Sequence, residues 1–146
     1  MAESWNRPIR LLGIDGDHSY EAAKQDLDGF FPHLLPHRVV AFHDALNAFP
    51  GPIRVFVEEV LRSDCFGPAG FVGSIAWGQF RPEDGGAFRR DRLVLARRAS
   101  RLIPFVESGQ ELRGLRKRRY KINRYRVPHG AMDAACWVSL VNGSSG

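Results

Sequence analysis

Apolar residues in this chain fall into short runs with two different periods. Arg10 to Ile14 is an apolar run bounded by Pro8 and an Asp-Gly pair, which predicts a buried strand. Tyr20, Ala23, Leu27, Phe30, Phe31 and Leu34 then recur at helical spacing and form one apolar face. Ser19 is placed to cap that helix, and Pro32 or Pro36 to end it. Val39 to Phe42 predicts a second buried strand. Asn47 to Pro52 reads as a loop, and Ile53, Phe56, Val57, Val60 and Leu61 mark another amphipathic helix. Gly67 to Gly70 reads as a turn, Phe71 to Phe80 as a late strand broken at Gly73, Arg81 to Arg90 as a loop, and Leu93 to Ala96 as one more strand.

Strand–helix–strand–helix–strand order predicts an α/β fold: a partial doubly wound, Rossmann-like sheet with mainly parallel strands. In such sheets ligands bind beyond the carboxyl ends of the strands. The first strand ends in Asp15-Gly16-Asp17-His18, and the second in His43-Asp44. Asp15 and Asp44 lie 29 positions apart, about one βαβ unit. If the two strands pair directly, these carboxylates come within roughly 5 Å of each other.

The net charge of +5 hides an asymmetry. Residues 1–88 hold 7 Lys/Arg against 12 Asp/Glu, a net of −5, whereas residues 89–126 hold 14 against 3, a net of +11. The motif-bearing half therefore suits a cation, and the other half an anionic partner or surface. Cys65 and Cys136 share no metal-ligand spacing and read as reduced thiols. No apolar run approaches a membrane span, and the first ten residues carry no signal-like stretch, so a cytoplasmic location is expected.

Oxygen ligands with few nitrogens suit Mg²⁺, Mn²⁺ or Ca²⁺ better than a structural zinc site. A cation held near Asp15 and Asp44 could anchor substrate oxygens and acidify a hydroxyl, with a nearby His or Asp taking the proton. The competing reading is turn chemistry: Asp-Gly forms turns, Asp17 caps the helix and His18 is solvated. His33, His37 and His129 stand apart from either cluster. The chain contains no G-x-G-x-x-G, no phosphate-loop motif and no G-x-S-x-G.

The runs IDGDHSYEAAKQDL, VVAFHD, PGPIRVFVEEVL and FVGSIAWG together resemble the second half of a class I S-adenosylmethionine-dependent methyltransferase. The likeness is to small-molecule and sugar O-methyltransferases and covers roughly residues 9–80. It implies that Asp15 and Asp44, with His43 beside them, hold a divalent cation, Mg²⁺. It implies that His18 is the catalytic base, with Asp17 as alternate, and that the acceptor is a small-molecule hydroxyl. It also implies S-adenosylmethionine as cofactor. The Gly-rich strand and turn that would cradle it have no counterpart here, so no cofactor-binding residue is assigned. His37-Arg38 replaces the usual Gly-Gly turn before the second strand.

The expected organisation is a methyltransferase-like C-terminal half-domain over 9–98, a basic, partly helical extension over 99–141 and a flexible tail over 142–146. Two other readings stand beside the enzyme. One is a non-catalytic remnant that self-associates, as a homodimer, through an exposed sheet edge. The other is an anion-binding module that takes RNA or acidic lipid through residues 113–126.

Overall fold

The computed structural model describes residues 5–129. Cys136, the run from Ala131 to Val141 and the 142–146 tail lie outside the described residues. Within them the chain forms β1 (Ile9–Ile14), α1 (Tyr20–Phe30), β2 (Leu34–Phe42) and α2 (Pro50–Val55), which continues as π-helical turns over Phe56–Leu61. There follow β3 (Phe66–Val72), β4 (Ile75–Phe80), α3 (Arg89–Ala99), α4 (Ile103–Val106) and α5 (Gly114–Tyr125).

The sheet order is β1-β2-β4-β3. β1 and β2 pair in parallel, with Ile14 opposite Phe42, and α1 is the crossover between them. β4 runs antiparallel to both β2 and β3. Three strands therefore point the same way, and β4 alone is reversed. Only one of the three pairings is parallel, so the expected mainly parallel sheet holds for strand direction and not for hydrogen-bond pairing.

The reversal comes from a two-residue hairpin. Val72 pairs with Ile75, and Gly73 sits at φ +60 in the turn between them. A glycine with positive φ at the first turn position is what a tight hairpin twisted to match its strands requires. The stretch read as one broken strand is thus two strands folded back on each other. The expected turn at Gly67 to Gly70 lies inside β3, where the register slips between Phe66 and Ala69. β3 is a marginal strand, which tolerates a proline lacking an N–H and a bulge beside it.

Leu93 to Ala96 is helical, not a strand, because the true repeat includes a cation. Arg92, Leu95, Ala96 and Ala99 are the buried positions of α3, at helical spacing, while Leu93 and Val94 face outwards. Arg92 is 2% exposed and donates to the carbonyls of Phe66, Gly67 (3.2 Å), Gly85 (2.7 Å) and Ser63 (2.5 Å). Burial pushes its pKa down, against the opposing pull of Asp64. One guanidinium thus satisfies carbonyls from three segments: Ser63, the start of β3 and Gly85.

One face of the sheet packs against α2 and its continuation. Phe56 touches Phe42 of β2 and Phe71 of β3, with ring centroids 5.8 and 5.2 Å apart. Gly78 of β4 lets the helix close in: a Cβ there would meet Val60 Cγ1 at 2.5 Å. β1 and β3 form the two margins of the sheet.

Candidate metal and acceptor site

The parallel pairing of β1 with β2 builds the site. His43 N–H donates to Ile14 O at 3.0 Å, continuing the ladder one step past the strand ends. That step sets Asp15 beside His43, and Asp15 Oδ1 lies 2.9 Å from His43 Nδ1. Asp44 comes next and folds inward at φ +56, a left-handed conformation that aspartate tolerates better than most residues. Its Oδ1 accepts from Asn47 Nδ2 at 2.6 Å, which fixes the turn. Asp44 is 19% exposed at its side chain and Asp15 66%, so the two carboxylates occupy different depths.

His18 enters from the start of α1. Its ring stacks on Phe49 with centroids 4.2 Å apart and 19° between planes. Its Nε2 is buried, makes no hydrogen bond among the described residues, and faces Asp44 Oδ2 at 3.5 Å. Ser19 caps α1 as its sequence position predicts, accepting from Ala22 N at 3.3 Å. Asp17 lies outside the cluster, its Oδ1 accepting the Ser19 N–H at 2.7 Å.

The loop carrying His18 is held by close backbone approach. Gly51 N–H donates to His18 O at 3.0 Å. A Cβ at Gly51 would stand 2.1 Å from Ser19 O and 2.6 Å from His18 O. Only glycine permits this contact between α2 and the site loop.

Asp15, His18 and His43 offer three ligand atoms that all lie within 4.8 Å of one another. Asp44 backs this group, 3.5 Å from both imidazoles. The resemblance implies Asp15, His43 and Asp44 as the ligand set with His18 as base; in the structure the mutually close donor atoms are those of Asp15, His18 and His43, with Asp44 beside the two imidazoles. His33 and His37 are outside the cluster, as expected. The expected turn before the second strand is instead an irregular part of β2, where the register with β1 slips between Leu34 and Val39; His37 there takes φ +62, a conformation glycine adopts more readily.

A groove of about 640 Å³ runs along the outer edge of β1, lined by Trp5, Leu11, Phe30 and, at its end, Asp15 and Gly16. A family model for a methyltransferase domain matches residues 1–45. Residues 1–45 are thus similar to a methyltransferase domain. The match spans β1, α1, β2 and the His43-Asp44 turn, under a third of the chain. Asp15, His18 and His43 all lie within the matched stretch.

Two further features of the site escaped the sequence reading. Phe49, in the loop expected over 47–52, orients the His18 ring. Tyr120, within the basic stretch 113–126, donates its hydroxyl to Leu46 O at 2.9 Å and accepts from Ala48 N at 2.9 Å. A tyrosine spaced like core residues within a charged helix was the available signal.

Proposed function

We propose that this chain forms the acceptor side of an S-adenosylmethionine-dependent O-methyltransferase acting on a small-molecule or sugar hydroxyl with a divalent cation. The observation that carries this is the convergence of Asp15, His18 and His43 donor atoms within 4.8 Å at two neighbouring strand ends. A carboxylate oxygen beside an imidazole nitrogen suits Mn²⁺ at least as well as Mg²⁺. Asp15 and His43 would hold the cation. When bound, it would stabilise negative charge on the acceptor oxygen.

His18 would take the hydroxyl proton. Phe49 fixes its ring plane, and Asp44 Oδ2 lies 3.5 Å from its Nε2. The described residues include no Gly-rich cradle for the adenosyl cofactor.

The reading is tested by calorimetric titration with S-adenosylmethionine, with and without Mg²⁺ or Mn²⁺, followed by transfer of labelled methyl to a panel of small hydroxyl compounds. Transfer that a chelator and His18→Gln both abolish is the expected result. Absence of cofactor binding in every condition would refute catalysis by this chain alone.

A second reading rests on the β1 margin. Leu11 is 62% exposed there, and the strand's outer edge is unpaired among the described residues. A non-catalytic, self-associating protein would use this edge for strand addition. A monodisperse monomer in solution would rule it out.

A further inference from the structure

We infer that the outer face of α5 docks on an anionic lipid surface. The helix is about 18 Å long by its 12 residues. Its inner side is defined by Tyr120, which is 6% exposed and tied to the Leu46–Ala48 loop. Arg116 also belongs to that side: it donates to Pro104 O at 3.2 Å, Phe105 O at 2.9 Å and Ser108 Oγ at 2.7 Å, so it closes the end of α4.

At about 100° per residue, Leu115, Arg118, Ile122 and Tyr125 lie opposite Tyr120. Leu115 is 74% exposed, Ile122 46% and Tyr125 78%. Three large apolar or amphipathic side chains thus stand in a row on the solvent side of a helix whose core side is already satisfied. Arg119 and Lys121 flank the row. None of Lys117, Arg118, Arg119 and Lys121 forms an ion pair among the described residues. No carboxylate lies between Gly114 and Tyr125.

Apolar side chains bracketed by unpaired cations are what an interfacial helix presents: the first enter the acyl boundary and the second meet anionic headgroups. An RNA-binding face would gain from the cations and from Tyr125, but it has no use for Leu115 and Ile122 in the same row. The occupant that uses both halves of the face is therefore a lipid surface carrying negative charge. The helix is far too short and charged to span a bilayer, and among the described residues no helix is long and apolar enough to cross one. The face is turned away from the Asp44 loop, so docking would leave the strand-end site unobstructed and at a fixed height above the surface.

Co-sedimentation of the full chain with vesicles tests this, using phosphatidylcholine alone and phosphatidylcholine mixed with phosphatidylserine. Binding is expected only with the anionic vesicles, and it should weaken as salt rises. Arg118→Gln and Lys121→Gln should each reduce affinity about five-fold. The double variant Leu115→Ser/Ile122→Ser should reduce it at least about ten-fold, with an unchanged circular dichroism spectrum. Failure to bind anionic vesicles, equal binding to neutral ones, or binding that survives the double substitution would overturn the inference. So would tight binding of a single-stranded RNA oligonucleotide in place of vesicles, or a dimer that the double substitution dissolves.

Discussion

The Tyr120 hydroxyl donates to the backbone oxygen of Leu46 across 2.9 Å, joining residues 74 positions apart. The Tyr120 hydroxyl oxygen in turn accepts the Ala48 N–H, and Ala48 holds φ +67. The basic helix α5 is thus bolted to the turn that carries Asp44. Burial raises the Tyr120 pKa, so the hydroxyl stays protonated and able to donate. Tyr120→Phe would leave a buried carbonyl and a strained N–H unpaired, at a cost of about 1–3 kcal/mol. A urea unfolding curve should show that loss.

Removal of Arg92 should be the most damaging single change at the β3 margin. Arg92→Ala strips hydrogen bonds from Ser63, Phe66, Gly67 and Gly85 and leaves those carbonyls without that donor, which predicts a loss on the order of 3 kcal/mol. Arg92→Lys should not restore stability, because one ammonium cannot span the same acceptors. Denaturant midpoints for both variants check this.

Gly51→Ala should damage stability and the site together. The added Cβ would collide with Ser19 and His18 carbonyls, so α2 and the His18 loop must part. We expect a stability loss of about 1–3 kcal/mol, and a weaker cation affinity in the fraction that stays folded. An exposed glycine such as Gly86, where a Cβ meets nothing within 4 Å, serves as control.

Stability should depend on pH through Glu58. Burial pushes its carboxyl up, but hydrogen bonds from Arg54 (2.9 Å) and Tyr20 (2.8 Å) outweigh this and hold the pKa below the usual value. A folded-state pKa that is depressed stabilises above the unfolded pKa, near about 4.3, and that contribution is lost as pH falls through the folded value. Thermal melts below that pH should flatten in Glu58→Gln relative to the parent.

Much of this was legible in the sequence. β1, the Ser19 cap, α1 and the apolar part of β2 followed from period and turn chemistry, because each is a local property. The approach of Asp15 to the His43-Asp44 turn followed from one βαβ spacing. The β3–β4 hairpin was signalled by Gly73-Ser74 but overlooked, because the apolar run on both sides looked continuous. α3 was missed because its buried repeat contains Arg92, whose burial depends on carbonyls supplied by distant segments. The inward turn of Asp44 and the stacking of His18 on Phe49 depend on loop geometry, which no local period encodes.

The roles of the cluster residues separate by variant. With His18 as the base and not a ligand, His18→Gln should abolish methyl transfer while leaving Mn²⁺ affinity closer to the parent's than Asp15→Asn or His43→Ala does. Parallel binding and transfer assays read the two effects.

The most direct test of the account is a Mn²⁺ titration followed by electron paramagnetic resonance, comparing the parent with Asp15→Asn and His43→Ala. The account predicts one bound ion in the parent and at least about ten-fold weaker binding in each variant. No bound ion in the parent, or equal affinity in all three proteins, would contradict it.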